Sequence, residues 1–87
     1  MITKEKKKEW IQLLKNDGYK QCYGTYGKAS TNERCATGIA YFDMDIRPGR
    51  SHGVSLKHWY TIIDLNDKKK YSFKKIARWI QRNVKAK

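Results

Sequence analysis

Side chains of the types that bind zinc are scattered through this 87-residue chain as Cys22, Cys35, His52 and His58. Structural zinc sites usually present close pairs such as C-x2-C, whereas twelve residues separate the two cysteines. Two strands of a hairpin could still unite the cysteines, but the simpler interpretation is a pair of reduced thiols that pack as small hydrophobic residues. We therefore predict neither a metal site nor another cofactor.

A second group of residues that could bind a metal ion is acidic. Asp43 and Asp45 alternate, so on a strand both carboxylates would face the same way, and with His52 they could hold a divalent ion for phosphodiester cleavage. No third acid is placed to complete such a site, and the sequence suggests no nucleophilic triad and no glycine-rich phosphate loop. The sequence therefore predicts a protein that is not an enzyme.

The strongest chemical signal is positive charge. Twenty Lys and Arg residues stand against eight Asp and Glu residues, which gives a formal charge of +12 and favours a polyanionic partner, either nucleic acid or an acidic protein surface. Residues 68–87 hold nine basic residues and no acidic one. The candidate binding residues are Lys68, Lys69, Lys70, Lys74, Lys75, Arg78, Arg82 and Lys85, extended by Arg47 and Arg50.

The balance of 15 Lys against 5 Arg indicates the kind of binding. Lysine is a mobile point charge suited to backbone phosphates, whereas base reading favours Arg, Asn and Gln, so the sequence predicts nonspecific, salt-sensitive binding. Tyr19, Tyr23 and Tyr26 could add base stacking, or they could fill the core. A genome poor in G and C would also produce this lysine excess, without any binding role.

Two turns carry part of this charge. In RPGRSHG, Arg47, Arg50, Ser51 and His52 surround a turn that could direct backbone N–H groups to a phosphate, although an exposed polar loop fits the same residues. Lysines 68–70 stand just ahead of the last helix, where positive charge opposes the helix dipole. A phosphate bound there would be favoured by both the lysines and the free N–H groups.

The elements that must position these residues are short. A helix is predicted over about residues 3–15, with Thr3 as its N-cap. Loosely alternating segments predict strands over residues 19–26 and 34–44, close enough to pair as an antiparallel hairpin. The apolar side of the first helix consists of Trp10, Ile11, Leu13 and Leu14.

Two further helices complete the chain. Ser55 is the predicted N-cap of a short helix, and Ser72 is the predicted N-cap of the last helix. Between these helices the sequence LNDKKK is predicted to form a turn, in which the Asn66 and Asp67 side chains form hydrogen bonds with the backbone. The result is one small α+β domain over residues 1–87, with helices on one face of a short antiparallel sheet. The predicted apolar positions are Leu56, Trp59, Tyr60 and Ile63 in the first of these helices, and Phe73, Ile76, Ala77, Ile80 and Val84 in the second, with Trp79 on the flank.

No apolar run reaches the length of a membrane span, and the opening MITKEKKKEW has charges without the apolar stretch of a signal peptide. We therefore expect a cytoplasmic protein with no membrane partner and no small-molecule substrate.

Two segments resemble motifs of a family of small, mostly uncharacterised proteins encoded by tailed bacteriophages. KKEWIQLLKNDGYKQ resembles the segment WIxALRSGxYxQ of that family, and LNDKKKYSFKKIARWIQ resembles its segment LNDxxxxSFxEIAxxIE. CATGIA stands where the family has CCLGVL, with Ala36 and Thr37 in place of the second cysteine and the leucine. Basic residues, Lys75, Arg78 and Arg82, replace the acidic positions of the last helix, so the basic face belongs to this member.

The resemblance carries no assigned activity, but it implies a phage accessory protein made in the host cytoplasm, where such proteins bind and redirect host machinery. Together with the charge it predicts a non-enzymatic protein that binds nucleic acid through a basic helical face and regulates or blocks a host nucleoprotein process. The alternative is a protein-binding inhibitor of a host enzyme or defence complex, of the anti-CRISPR type, that sets the same surface against an acidic cleft.

Overall fold

The computed structural model describes residues 1–16 and 18–87, which form one small α+β domain. The domain has four α-helices and a two-stranded sheet, and the second helix continues directly into a π-helical turn, Ile39–Asp43. The elements are α1 (Lys4–Lys15), β1 (Lys20–Gln21), β2 (Glu33–Arg34), α2 (Ala36–Gly38), α3 (Leu56–Asp67) and α4 (Phe73–Asn83).

Helix α1 forms as its sequence predicts. The Thr3 hydroxyl accepts a hydrogen bond from the Lys6 N–H at 3.2 Å, which satisfies one of the free amides of the first turn. Trp10, Ile11 and Leu14 are buried, so the apolar stripe of α1 faces the core.

The predicted antiparallel hairpin is wrong. The strands are only two residues long and run parallel, with Lys20 opposite Glu33 and Gln21 opposite Arg34. Between them Gly27 turns the chain at φ 106°, and a Cβ there would lie 2.1 Å from the Glu33 carbonyl oxygen. Glycine is therefore required at this close approach of two backbone segments.

Most of the predicted second strand is helical, and the physical reason is burial. Residues 35–40 are all buried, whereas a half-exposed strand buries alternate residues. The Cys35 sulfur accepts a hydrogen bond from the Gly38 N–H at 3.2 Å and so caps α2, and the Trp10 indole donates to the Ala36 carbonyl at 3.0 Å. Contacts with distant parts of the chain thus override the local strand pattern.

Helix α3 begins after Ser55, as predicted, and Trp59 and Ile63 pack in or against the core as predicted, but the other two predicted apolar positions do not. Leu56 and Tyr60 are 53% and 61% exposed, while the buried residues are Trp59, Ile62, Leu65 and Asn66. The helix also continues through Asn66 and Asp67, which were predicted to lie in a turn.

Helix α4 confirms its predicted pattern. The Ser72 hydroxyl accepts from the Lys75 N–H at 3.2 Å, Ile76, Ala77 and Ile80 are fully buried, and Trp79 lies half-buried on the flank.

The residues just before α1 and just after α4 are hydrogen-bonded to each other, which places the two helices side by side. Ile2 and Ala86 form a parallel bridge, the Lys87 N–H donates to the Ile2 carbonyl at 3.0 Å, and the Lys4 N–H donates to the Lys87 carbonyl at 3.2 Å. None of the helices described is both long enough and apolar enough to cross a membrane.

Candidate functional site

All charged residues on the outward side of α4 are basic. Its exposed side chains lie opposite the buried stripe, because they fall at positions three and four residues apart on the other side of the helix. Among the described residues, no carboxylate lies within 4.0 Å of any of these ammonium or guanidinium groups. The basic residues of this surface, which we term the α4 face, are Lys74, Lys75, Arg78, Arg82 and, just beyond the helix, Lys85.

The turn before α4 adds three exposed lysines, which differ in their surroundings. Lys68 lies 3.8 Å from the Asp64 carboxylate, one helical turn earlier. Lys70 occupies the left-handed region at φ 51°, and its ammonium lies 4.2 Å from the ring centroid of Tyr23. The sequence prediction that Lys68, Lys69 and Lys70 adjoin the first turn of α4 agrees with this geometry.

Arg47 lies apart from the α4 face and is engaged within its own loop. Its guanidinium stacks 4.0 Å from the Tyr41 ring centroid, donates to the Tyr41 carbonyl at 2.8 Å, and pairs with Asp45 at 3.0 Å. These contacts assign Arg47 a structural role, so it contributes little free charge to a binding surface.

Arg50, by contrast, is exposed and lies close to the end of α4. It lines a groove of about 630 Å³ together with Lys85, His58 and Leu56. The amides of the surrounding loop are used internally, since the Gly49 N–H donates to Val54 at 2.7 Å and the Gly53 N–H donates to Arg50 at 3.0 Å. These two N–H groups are therefore not free to bind a phosphate.

A second basic groove, which the sequence analysis missed, separates α1 from α4. It has a volume of about 510 Å³, and the Lys7 ammonium crosses it to donate to the Gln81 carbonyl at 3.1 Å. The only sequence signal was the lysine cluster of KEKKKEW, which does not indicate the helix against which it packs. The residues that line this α1–α4 groove are Lys4, Lys7, Lys8, Ile11, Gln12, Lys15, Gln81 and Ala86.

On its other flank α4 bounds a smaller groove of about 280 Å³ that contains aromatic side chains. The Lys75 ammonium lies 3.9 Å from the Tyr71 ring centroid, and the His58 ring meets Trp79 edge-on with centroids 5.7 Å apart. We term this the aromatic groove; it is lined by Tyr71, Lys75, Arg78, Trp79, Arg82 and Asn83.

The three tyrosines considered for stacking have different surroundings. Tyr26 stacks on Tyr41 with centroids 5.0 Å apart and accepts a hydrogen bond from the Trp59 indole at 3.1 Å, so it serves the core. Tyr19 is half-buried beside the Arg34 guanidinium, 5.2 Å from its ring centroid. Tyr23 alone of the three is exposed, at 45%.

A buried hydrogen-bond network supports the turn before α4. The fully buried Asn66 side chain accepts from the Gln21 amide at 2.9 Å and the Ala36 N–H at 3.2 Å, and it donates to the Cys22 carbonyl at 2.9 Å. Gln21 also donates to the Tyr71 carbonyl at 2.9 Å. Asn66 therefore connects α3 to the residues that follow β1 and to the start of α2.

Arg34 is a second polar centre that the sequence analysis missed. Its buried guanidinium pairs with Asp43 at 2.8 Å and donates to the carbonyls of Lys28 and Thr31 at 2.5 and 2.8 Å. The hydrogen bond that Arg34 donates to the Asp43 carboxylate raises the pKa of the guanidinium, which therefore stays charged. Burial, followed by the charge of Asp43, raises the pKa of Tyr19 beside it.

The cysteines and the acidic pair that could have bound zinc or another divalent ion have other contacts in the structure. The Cys35 thiol caps α2, both cysteines are free, and burial raises the pKa of each thiol. Asp43 and Asp45 are each paired with a separate arginine. Within residues 1–16 and 18–87, no group of three or more His, Cys, Asp or Glu side chains converges on a common point.

No protein-family model matches the chain, and no curated protein or solved structure matches it at a significant level. The resemblance to small phage proteins therefore stays a prediction from the two sequence motifs.

Proposed function

We propose that this chain is a non-enzymatic phage accessory protein that binds the phosphate backbone of nucleic acid through the α4 face and the lysines of the preceding turn. The observation that carries the proposal is the clustering of exposed basic side chains on one helix, with no described carboxylate within 4.0 Å of them. Such a surface concentrates anions and releases counterions when phosphates bind.

The composition of the face supports contacts with the backbone more than reading of bases. Six of the eight residues of the α4 face and the preceding turn are lysines, and only Arg78 and Arg82 can form bidentate contacts. Binding is therefore expected to depend weakly on sequence and strongly on salt. In an infected cell, such a protein would regulate or block a host nucleoprotein complex by occupying its nucleic acid.

A specific observation favours a second candidate, an inhibitor of a host enzyme or defence complex of the anti-CRISPR type. Leu56 and Tyr60 are one turn apart on α3 and are more than half exposed, at 53% and 61%. Neighbouring exposed apolar side chains are typical of protein contacts, and the same basic surface would complement an acidic cleft.

The proposed function is tested by fluorescence anisotropy with labelled mixed-sequence DNA and RNA at low and physiological salt. We expect binding of the wild-type protein at both salt concentrations, with an affinity that falls as salt rises. The variant Lys74→Glu/Lys75→Glu/Arg78→Glu should lose this binding while its circular dichroism spectrum remains that of the folded protein. Absence of binding at physiological salt would contradict the proposal and direct attention to a protein partner.

A matched control separates the α4 face from net charge alone. Lys20→Glu/Lys28→Glu/Lys57→Glu changes the net charge by the same amount at exposed residues that line neither of the grooves beside α4. This control should retain most of the binding. An equal loss in both variants would mean that total charge, and not the α4 face, drives association.

A further inference from the structure

The aromatic groove differs from the other basic surfaces in its chemistry. The α1–α4 groove is lined by lysines and glutamines with Ile11 and Ala86, and it contains no aromatic side chain. The aromatic groove combines two rings, Tyr71 and Trp79, with the cationic groups of Lys75, Arg78 and Arg82. Basic groups beside accessible rings are the combination by which proteins hold unpaired bases together with their phosphates.

Resting on the proposed function, we infer that the aromatic groove is a base-stacking subsite, and that the α4 face therefore prefers single-stranded to double-stranded nucleic acid. In a duplex the faces of the bases are covered by their stacked neighbours, so they cannot lie against a protein ring. An unpaired base can stack on Trp79 or Tyr71 while its flanking phosphates contact the arginines.

The spacing of the basic residues supports this arrangement. Arg78 and Arg82 are one helical turn apart, about 6 Å along the axis, and both line the groove in which Trp79 lies. The Asn83 amide donates to the Trp79 carbonyl at 2.9 Å, so Asn83 is held against the helix at the end of the groove. The arginines can thus bind phosphates on either side of a base that is stacked on Trp79.

A further exposed ring lies against the turn that precedes α4. Tyr23 is 45% exposed, is not packed against the core, and lies under the Lys70 ammonium at 4.2 Å. Gln21, two residues earlier, donates to the carbonyl of Tyr71, which places this segment beside the groove. Lys70–Tyr23 and Lys75–Tyr71 are therefore two pairs of a cation and a ring, with the two lysines on either side of the start of α4 in the sequence.

The structure supplies an intrinsic probe of this inference. Trp10 and Trp59 are fully buried, while Trp79 is only partly buried. A base that stacks in the aromatic groove should therefore quench the emission of Trp79 and leave that of the other two tryptophans unchanged.

The experiment titrates the folded protein with a mixed-sequence single-stranded oligonucleotide and with its own duplex, and follows tryptophan emission and anisotropy together. We expect the single strand to bind more tightly and to quench emission. Trp79→Leu should weaken the binding of the single strand about tenfold, because one base-stacking contact is lost. The same substitution should leave the affinity for the duplex unchanged. Trp79→Phe should abolish the quenching but keep most of the affinity, because a ring remains.

The possible failures are distinguishable. Equal binding of single strand and duplex, with no quenching, would overturn the stacking subsite and leave the proposed function intact. No binding of either would overturn both proposals and favour an acidic protein partner. If Trp79→Leu does not fold, the quenching of the wild-type protein and its loss in Trp79→Phe still decide the question.

Discussion

At the scale of single residues, buried polar side chains organise this small domain. Asn66 is fully buried and forms four hydrogen bonds, including one from its amide to the Asp67 carboxylate at 2.7 Å. The Ala36 N–H and the Asn66 amide are buried, and a buried polar group without a partner costs about 1–3 kcal/mol. One side chain therefore has an influence on stability comparable to that of a large core residue.

Replacement of Asn66 by the isosteric Leu is expected to lower the free energy of unfolding by about 2–4 kcal/mol, because the Ala36 N–H and the Cys22 carbonyl lose their partner. Urea denaturation followed by circular dichroism measures this change. Asn66→Asp serves as a control of the same shape that keeps the two acceptor bonds and loses the donated ones. A Leu variant as stable as the wild type would show that the network is dispensable.

At the scale of elements, the turn between α3 and α4 decides where three lysines are displayed. The Tyr71 N–H donates to the Leu65 carbonyl at 2.9 Å, and Lys70 adopts φ 51° to allow it. A residue with a Cβ in this left-handed region costs roughly 1–2 kcal/mol, and glycine avoids most of that cost. The turn thus has a lysine at a position whose backbone conformation favours glycine.

Lys70→Gly is accordingly expected to raise the free energy of unfolding by about 0.5–1 kcal/mol and to weaken nucleic-acid binding. Thermal denaturation and anisotropy measure the two effects on the same sample. Lys70→Ala removes the charge but keeps the Cβ, so it should weaken binding without stabilising the fold. If alanine stabilises as much as glycine, charge repulsion among the lysines, and not the backbone conformation, is the cause.

At the scale of the whole molecule, the packing of α1 on α4 joins basic residues from opposite ends of the chain. The lysines of α1 line one flank of α4 and the aromatic groove lies on the other, so α4 stands between two basic surfaces. A nucleic acid bound along α4 would contact both, and its salt dependence would report the total number of phosphates neutralised.

Lys4→Gln/Lys8→Gln/Lys15→Gln should therefore reduce the slope of log affinity against log salt by about 2, as expected for three lost contacts with a single strand. Lys20→Gln/Lys28→Gln/Lys57→Gln has the same charge and should reduce the slope less. Anisotropy titrations at several salt concentrations measure both slopes. A slope unchanged by the α1 substitutions would confine the interface to α4 and its preceding turn.

Helices α1, α3 and α4, and the basic composition of the α4 face, can be predicted from short stretches of sequence. The caps at Thr3, Ser55 and Ser72 and the stripe of α4 act within a few residues, so they can be read locally. In α3 the apolar spacing misplaces Leu56 and Tyr60, which are exposed, and gives no sign that the polar Asn66 is buried.

The conformation of residues 34–44, the parallel pairing of β1 with β2 and the neighbours of α4 depend on contacts between distant parts of the chain. The partners responsible are distant in sequence: Ala36 receives the Trp10 indole 26 residues away and donates to Asn66 30 residues away. The α1–α4 groove likewise depends on the pairing of Ile2 with Ala86. Local patterns contain no information about such contacts, because their free energy arises only once the chain has folded and both partners are buried.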